Sequence, residues 1–535
     1  MKRTFYIVIS LFVLVFWSSC RKDFEFSPST GSLEFSRDTV YLDTVFTDIG
    51  SSTYNLKVYN RSDEDIVIPS IRLGEGFGSF YRMTIDGTTG LNNGTDESQG
   101  KVFENIEMLA KDSMFIFIET TIDIQSLTNQ DLQFLYTDAI EFDTGTNQQD
   151  VELVTLVKDA NFIYPQRFQD SETGEYIIET LEFDVDGDGI DDETTLQGRF
   201  LTDPELTFTN EKPYVIYGYA GVGSGKVLNV EPGSRVHFHA NSGLIVTGGG
   251  SIKVNGSLST DPDALENEVI FEGDRLEPLF SDIPGQWGTI WLFNGSIENE
   301  FNYATIKNAT VGILSEGNAD AATDKLTITN SQIYNSSNFG ILGRATSVRG
   351  ENVVINNSGQ SSLAGTVGGK YNFTHSTIVN YWNNSFRQFP SLLLNNYLVD
   401  ENNNAVANDN TALTEANFTN CIVYGNDNPE ILLDAIDGAD FVFKFTNCLI
   451  RFDDPNDNFD GFQYDFGNMD LYESVFRNED PDFLDPNNNQ LNIGADSFAN
   501  GKALPLMPTG FDLLEIPRDI SNPDIGAYES VIFDD

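Results

Sequence analysis

The feature that most constrains this chain is a short segment that keeps returning. Aligned on one another, YATIKN (303–308), NSQIYN (330–335), ENVVIN (351–356), HSTIVN (375–380), NCIVYG (420–425), NCLIRF (447–452) and ESVFRN (473–478) share an apolar fourth position. Its occupants are Ile306, Ile333, Val354, Ile378, Val423, Ile450 and Phe476, at intervals of 27, 21, 24, 45, 27 and 26 residues. The second positions, Ala304, Ser331, Asn352, Ser376, Cys421, Cys448 and Ser474, are almost all small. Residues two apart in a strand share a face, so both positions turn inward together. Strands this short, separated by Gly, Asn and Ser and recurring at one coil's length, predict a solenoid of parallel strands. In it like side chains stack at the strand spacing of ~4.8 Å into one continuous column. The interval of 45 reads as one coil plus an excursion, so residues 383–415 are expected to protrude.

The pattern starts earlier, in VLNVEPGSRVHFHANSGLIVTGGGSIKVNGSL (227–258), where Val236 and Phe238, Leu244 and Val246, and Ile252 and Val254 are inward pairs. Together with VIFEGD (269–274), PGQWGTIW (284–291) and ATIKNATVGI (304–313), this run resembles the right-handed parallel β-helix, or pectin-lyase-like, repeat proteins. More narrowly it resembles Bacteroidetes-type lipoproteins that carry such a helix. FLDPNNNQLNIGADSFANGKA (483–503) and NPDIGAYE (522–529) are similar to their closing segment. The resemblance covers roughly 205–535 and implies the fold. It implies no single chemistry, because the fold hosts lyases, hydrolases and adhesins alike.

Lys2 and Arg3 precede a mostly apolar run from Thr4 to Trp17, and Ser18-Ser19-Cys20 follows. That is the layout of a secretory signal. Small residues before a cysteine resemble the bacterial lipobox, which implies lipidation at Cys20, a membrane anchor and an outer-membrane address exposed at the cell surface. Residues 1–20 are then the signal peptide and 21–30 a tether. From Ser32 the segments SLEFS, DTVYLDTVF, STYNLKVYN, DIVIPSIRL, SFYRMTID, SMFIFIETTID and DVELVTLVKD, joined by Gly, Asp and Asn turns, predict an immunoglobulin-like β-sandwich over 31–159. The expected architecture is all-β: this sandwich, an acidic linker over 160–205, and the right-handed parallel β-helix over 206–535.

The formal net charge is −52, from 30 basic and 82 acidic residues. Such a surface repels nucleic acid, and it repels polyuronates unless divalent cations bridge the two. Within the acidic linker, Asp184, Asp186, Asp188 and Asp192 stand at positions 1, 3, 5 and 9 of one loop, with Gly189 at position 6 and the Ile190 carbonyl at position 7. Hard oxygens at alternate positions around a glycine turn suit Ca²⁺ as a structural ion. Position 12 is Thr195 rather than a bidentate Glu. The alternative is a solvated acidic loop.

His237 and His239 lie on one strand and are read as exposed; His375 replaces the Asn of other repeats and is read as a turn residue. Cys421 and Cys448, at matching positions one coil apart, are read as a buried thiol ladder, with a disulfide as the alternative. Asn308, Asn335, Asn356 and Asn380 recur after the apolar position and are read as structural, through left-handed turns or side-chain ladders. The excursion is the place for function, since loops on rigid scaffolds carry it. Phe386, Arg387, Phe389 and Tyr397, with Tyr381 and Trp382, are expected either to form a sugar-stacking platform or to cover a flank of the solenoid. No catalytic constellation is visible in the pattern. The functional expectation is a surface protein that binds polysaccharide or another macromolecule without catalysis; the alternative is a β-helix polysaccharide lyase or glycoside hydrolase.

Overall fold

The computed structural model describes residues 25–91, 99–127, 132–171, 174–261, 264–317 and 322–533. Cys20 and the rest of the leader lie outside the described residues. The chain divides into two compact units, 1–159 and 160–535.

The first unit is a β-sandwich. One sheet is ordered Ser27–Pro28, Ile66–Leu73, Gln133–Phe142, Gln149–Lys158, Thr39–Phe46, with Val102–Met108 also paired to Ile66–Leu73. The other is ordered Glu34–Phe35, Tyr54–Tyr59, Ser113–Thr120, Tyr81–Ile85. Gln149–Lys158 closes the first sheet in parallel with Thr39–Phe46, a pairing of first and last long strands that a Greek-key sandwich permits. Alternate residues point into one core, among them Val40, Leu42, Leu56, Val58, Ile116, Ile118, Leu153 and Val157.

The second unit is a right-handed parallel β-helix, the hand that a twisted strand and its crossover impose. Most coils supply three strand stretches, each paired in parallel with its equivalent one coil on, and the last coil supplies two, Tyr472–Glu473 and Phe476–Arg477. Val236, Phe271, Ile306, Ile333, Ile355, Ile378, Val423 and Ile450 form one unbroken column. All but Val236 and Phe271, which open the column, belong to the repeating segments, and every member is fully buried. Beside it Phe373, Phe418, Phe445 and Tyr472 stack with centroids 5.8, 5.0 and 5.6 Å apart. Cys421 and Cys448 are free, buried thiols in this interior.

Two of the seven repeats are displaced by one residue from the alignment made on sequence. Ser331 pairs with Val353, so Ile355 and not Val354 enters the column, and Ile450 pairs with Arg477, not Phe476. The reason is a left-handed residue that begins each repeat: Tyr303, Asn330, Asn352, His375, Asn420, Asn447 and Ser474 all have φ between 46° and 57°. Asn is the non-glycine residue most tolerant of that region. Asn352 and Ser474 hold this turn slot rather than the small inward slot they resemble.

Residues 160–205 are not a linker but the opening of the solenoid. Asn161–Ile163 pairs with Tyr214–Ile216, and Gly198–Phe200 with Tyr219–Gly221. The acidic loop is the tip of a hairpin between Thr180–Phe183 and Asp192–Phe200, so its polarity is that of a turn. Nor does all of 383–415 protrude. Leu392–Asn395 is a regular coil strand between Leu363–Gly365 and Ile431–Asp434, and only the small hairpin of Leu398–Val399 with Ala405–Val406 leaves the main sheet.

The outward face of the repeated strands is also apolar. Val354, Val379, Ile422, Tyr424 and Leu449 form a second buried cluster with Leu491, Ile493, Ala499, Leu513, Ile525, Ala527 and Tyr528. The C-terminal segment is therefore a strap laid along the outside of the coils. Polar anchors hold it: Ala527 N donates to Thr377 Oγ1 (3.0 Å), Asn420 exchanges two hydrogen bonds with the Leu504 backbone (2.7 and 2.9 Å), and Asn447 Nδ2 donates to the Lys502 carbonyl (2.9 Å).

Candidate functional site

The left-handed column and the strap enclose an open groove of 510 Å³. Its floor is the column itself. Asn330 Nδ2 donates to Asn302 Oδ1 (3.0 Å), and Asn352 Nδ2 donates to Asn330 Oδ1 (2.9 Å), so side-chain amides bridge successive coils. Its far wall is the strap's turn at Phe511, Asp512 and Glu515. Asn352 Nδ2 also donates to the Phe511 carbonyl (3.0 Å), and the Tyr303 hydroxyl donates to Glu515 Oε1 (3.3 Å). Glu351, Phe511 and Glu515 are exposed, so the groove offers an aromatic ring and two accessible carboxylates over an amide floor. That mixture suits a polyhydroxylated ligand.

Asp512 in the wall, and Arg518 and His375 just outside the lining, are committed to the fold. Asp512 is buried, and its carboxylate accepts the backbone N–H of Leu514, Ile516 and Glu529 at 2.8, 2.8 and 2.9 Å. Arg518 is paired with Glu529 (2.9 Å) and donates to Asn352 Oδ1 (2.9 Å). His375 is buried beside it, and burial, reinforced by the Arg518 charge, pushes its pKa down to about 3. A ring neutral over the ordinary pH range and bonded to Asn420 (3.0 Å) holds a turn rather than moving a proton. Half of this groove comes from a strap far along the chain, so no local motif announces it; the signal was Tyr303 standing in a slot otherwise held mainly by Asn.

The expected aromatic platform does not assemble. Arg387 is buried and paired with Glu430 (2.6 Å) and Asp427 (3.1 Å). Glu430 also accepts from Ser391 N and Oγ, both at 2.8 Å. Trp382 is buried with its Nε1 donating to Ser385 (3.0 Å), and Tyr381 packs edge-on against Phe483 of the strap. Phe389 is half-buried, and the Tyr397 hydroxyl donates to Asp434. Only Phe386, 91% exposed, faces solvent. The buried Arg387–Glu430 pair explains this: it folds the segment back onto the coil.

The histidine reading changes at His237 and holds at His239, which is exposed. His237 is buried, its Nδ1 3.6 Å from Glu272, which Lys307 holds at 2.9 Å. His239 lies 2.8 Å from Asp274 and is stacked on Tyr217. The next coil brings both acids, which spacing along one strand does not show. Of the asparagines, Asn308, Asn335 and Asn357 form the ladder, at 3.2 and 2.6 Å. Asn356 instead donates to the strap at Pro486 (2.8 Å), and Asn380 to the Ser358 carbonyl (2.8 Å).

In the acidic hairpin tip, ligand oxygens of Asp184, Asp186 and Asp188 lie within 4.8 Å of one another. Asp184 accepts Gly187 N (2.7 Å) and Gly189 N (2.9 Å), and Asp192 accepts Val185 N (3.0 Å). Gly187 and Gly189, at φ +85° and +86°, let the chain curl around them. Three converging carboxylates in a glycine-turned loop fit a hard cation.

Fold and groove thus define a parallel β-helix protein with a lateral strap. No protein-family profile matches this chain, and no curated protein does. Among solved structures it is similar to the catalytic unit of a thermostable GH87 α-1,3-glucanase from Streptomyces thermodiastaticus strain HF3-3. The identity is 9% and the TM-score 0.21, covering 76% of this chain and 64% of that one. It is also similar to a family 123 glycoside hydrolase from Clostridium perfringens, at 8% identity and TM-score 0.17, covering 23% of this chain and 26% of that one. A third likeness is to a PapD-like domain of human CEP192, at 13% identity and TM-score 0.15, covering 26% of this chain and 94% of that one. The chain spans about a quarter of the family 123 hydrolase and under two thirds of the glucanase. No activity is carried over from any of them.

Proposed function

We propose that this protein is a lipid-anchored outer-membrane protein, displayed at the cell surface, whose solenoid binds glycan or another surface macromolecule without catalysis. The observation that supports it is the groove: an aromatic and amide-lined channel whose one buried acid, Asp512, is spent on holding the strap's turn, while Arg518 and His375 behind it are likewise committed to the fold. The leader ending in Ser18-Ser19-Cys20 supports the anchor and the kinship with Bacteroidetes-type lipoproteins, and the charge of −52 argues against nucleic acid. Calcium is the proposed structural ion. Asp184, Asp186, Asp188 and Asp192, with the Ile190 carbonyl, would hold it, and the ion would neutralise and stiffen the hairpin tip. A hydrolase or lyase keeps one specific support, the two exposed carboxylates Glu351 and Glu515 in the same groove.

The test uses purified protein carrying Cys20→Ser, offered neutral and acidic polysaccharides with calcium or with chelator, while retention, new reducing ends and unsaturated products are followed. Retention without product, weakened in Tyr303→Ala with Glu351→Gln, is the expected result. Product on any substrate overturns the non-catalytic reading, and silence without retention overturns the glycan reading. A melting temperature that chelator lowers in the parent but not in Asp184→Asn is expected for the ion; an indifferent parent rejects it.

A further inference from the structure

The outer face of the sandwich's four-stranded sheet is not what a two-layer fold needs. On its strand Ser113–Thr120, Met114, Ile116 and Ile118 enter the core, and strict alternation would make the outward positions polar. They are Phe115 and Phe117, each 43% exposed, on a strand flanked by Tyr54–Tyr59 and Tyr81–Ile85. Their rings lie 6.3 Å apart and within 18° of parallel. Register sets Lys57 beside Phe115, and Asn55 and Thr84 on either side of Phe117. The Lys57 ammonium stands 5.1 Å from the Phe115 centroid. Phe117 also borders a depression of 210 Å³ with Arg82, Thr84, Gln99 and Glu119. Arg82 and Glu119 are held at 2.9 Å, so this rim presents fixed donors and acceptors.

We propose that this face is a carbohydrate platform that takes a strand of neutral polysaccharide. Successive pyranose rings lay their C–H faces on Phe115 and Phe117, whose electron-rich ring faces attract polarised C–H groups. Asn55, Thr84, Lys57 and the Arg82–Glu119 pair meet the hydroxyl rims. Charge narrows the occupant: a chain at −52 repels polyanions, anionic lipid and a second copy of itself, and a neutral glycan, whose hydroxyls can meet the Lys57, Arg82 and Glu119 rim, escapes that penalty. Shape agrees, because the two near-parallel rings stand on an exposed sheet face rather than in the enclosed pocket that anchors a protein hot spot. The platform shares no residue with the solenoid groove, so either can fail alone.

The experiment is affinity electrophoresis of the purified protein through gels holding a soluble β-glucan, xylan, mannan or α-glucan, with polygalacturonate as the acidic control. The expected result is retardation by at least one neutral polymer, with affinity falling about tenfold or more in Phe115→Ala/Phe117→Ala. Lys57→Gln should lose a smaller factor, and Tyr41→Ala, an exposed ring on the other sheet, should lose nothing. An unchanged melting temperature shows that the variants fold. Parental affinity in the double variant, retardation by polygalacturonate alone, or no retardation by any polymer overturns the platform. Loss confined to Tyr303→Ala, with Phe115→Ala/Phe117→Ala at parental affinity, overturns it too and leaves the groove standing. Self-association in sedimentation that the double variant abolishes would make the face a seam between copies and also overturn it.

Discussion

The repeated strands of the solenoid carry two apolar rows, and the two are buried by different means. Ile333, Ile355, Ile378, Val423 and Ile450 point inward and are sealed by their own repetition, each lying on its equivalent in the next coil. Val354, Val379, Ile422 and Leu449 point outward and are sealed only by the strap. Repetition can specify an interior, because every coil brings the same partner. It cannot specify a lateral cover, which has to come from sequence that repeats nothing.

The comparison is broken or sharpened by four measurements. The largest effect is expected from ending the chain after Asn478, which uncovers the whole outer row; the product should be insoluble or bind a hydrophobic dye without a cooperative melt. A soluble, sharply melting truncation would mean that the outer row needs no cover. Next, Arg387→Met leaves Glu430 buried without its cation. A loss of about 3–5 kcal/mol in denaturant titration is expected, most of it recovered when Glu430 is also made Met. Third, Ile378→Ala should cost about 2–5 kcal/mol, and Val379→Ala less than that by only the one methylene, a difference of about 0.8 kcal/mol, if the strap seals as well as a coil does. A negligible cost at Val379 would show a loosely seated strap.

The smallest effect concerns His375. Its folded pKa is about 3 against an ordinary 6.5, so between these values the unfolded chain takes up the proton first. Stability is therefore level above pH 6.5 and falls as the pH drops towards 3, by about 2 kcal/mol at pH 5. His375→Asn, which keeps a residue suited to the left-handed slot, should flatten that acid limb in melting curves taken from pH 7 to 4.

The solenoid was legible because one coil's length recurs, and the convergence of Asp184, Asp186 and Asp188 because they are local, whereas the hairpin that carries them reads as a linker because the strand it joins in the sheet, Tyr219–Gly221, lies one coil on. Register slipped at Asn352 and Ser474 because a polar residue in a left-handed turn looks, in one dimension, like a small residue turned inward. The outer row was illegible because alternation marks a strand's second face as solvent-facing and says nothing of a cover arriving from residues 491–528. Arg387 looked like part of a binding loop because Glu430 stands 43 residues away. In the same way SMFIFIET reads as a strand, but its unbroken apolar run hides the fact that Phe115 and Phe117 face outward.

The strap also acts as a ruler. Solenoids ordinarily lengthen or shorten by gaining or losing whole repeats, since each coil meets only its neighbours. Here one continuous segment touches Tyr303, Asn352, Thr377, Asn420 and Asn447, each on a different coil, at fixed places along its own length. A coil duplicated or deleted among them would throw every anchor beyond it out of step by one strand spacing. Copy number in this stretch is thus frozen, and variation among descendants of this chain should be confined there to substitutions and to loops that leave the coil count alone.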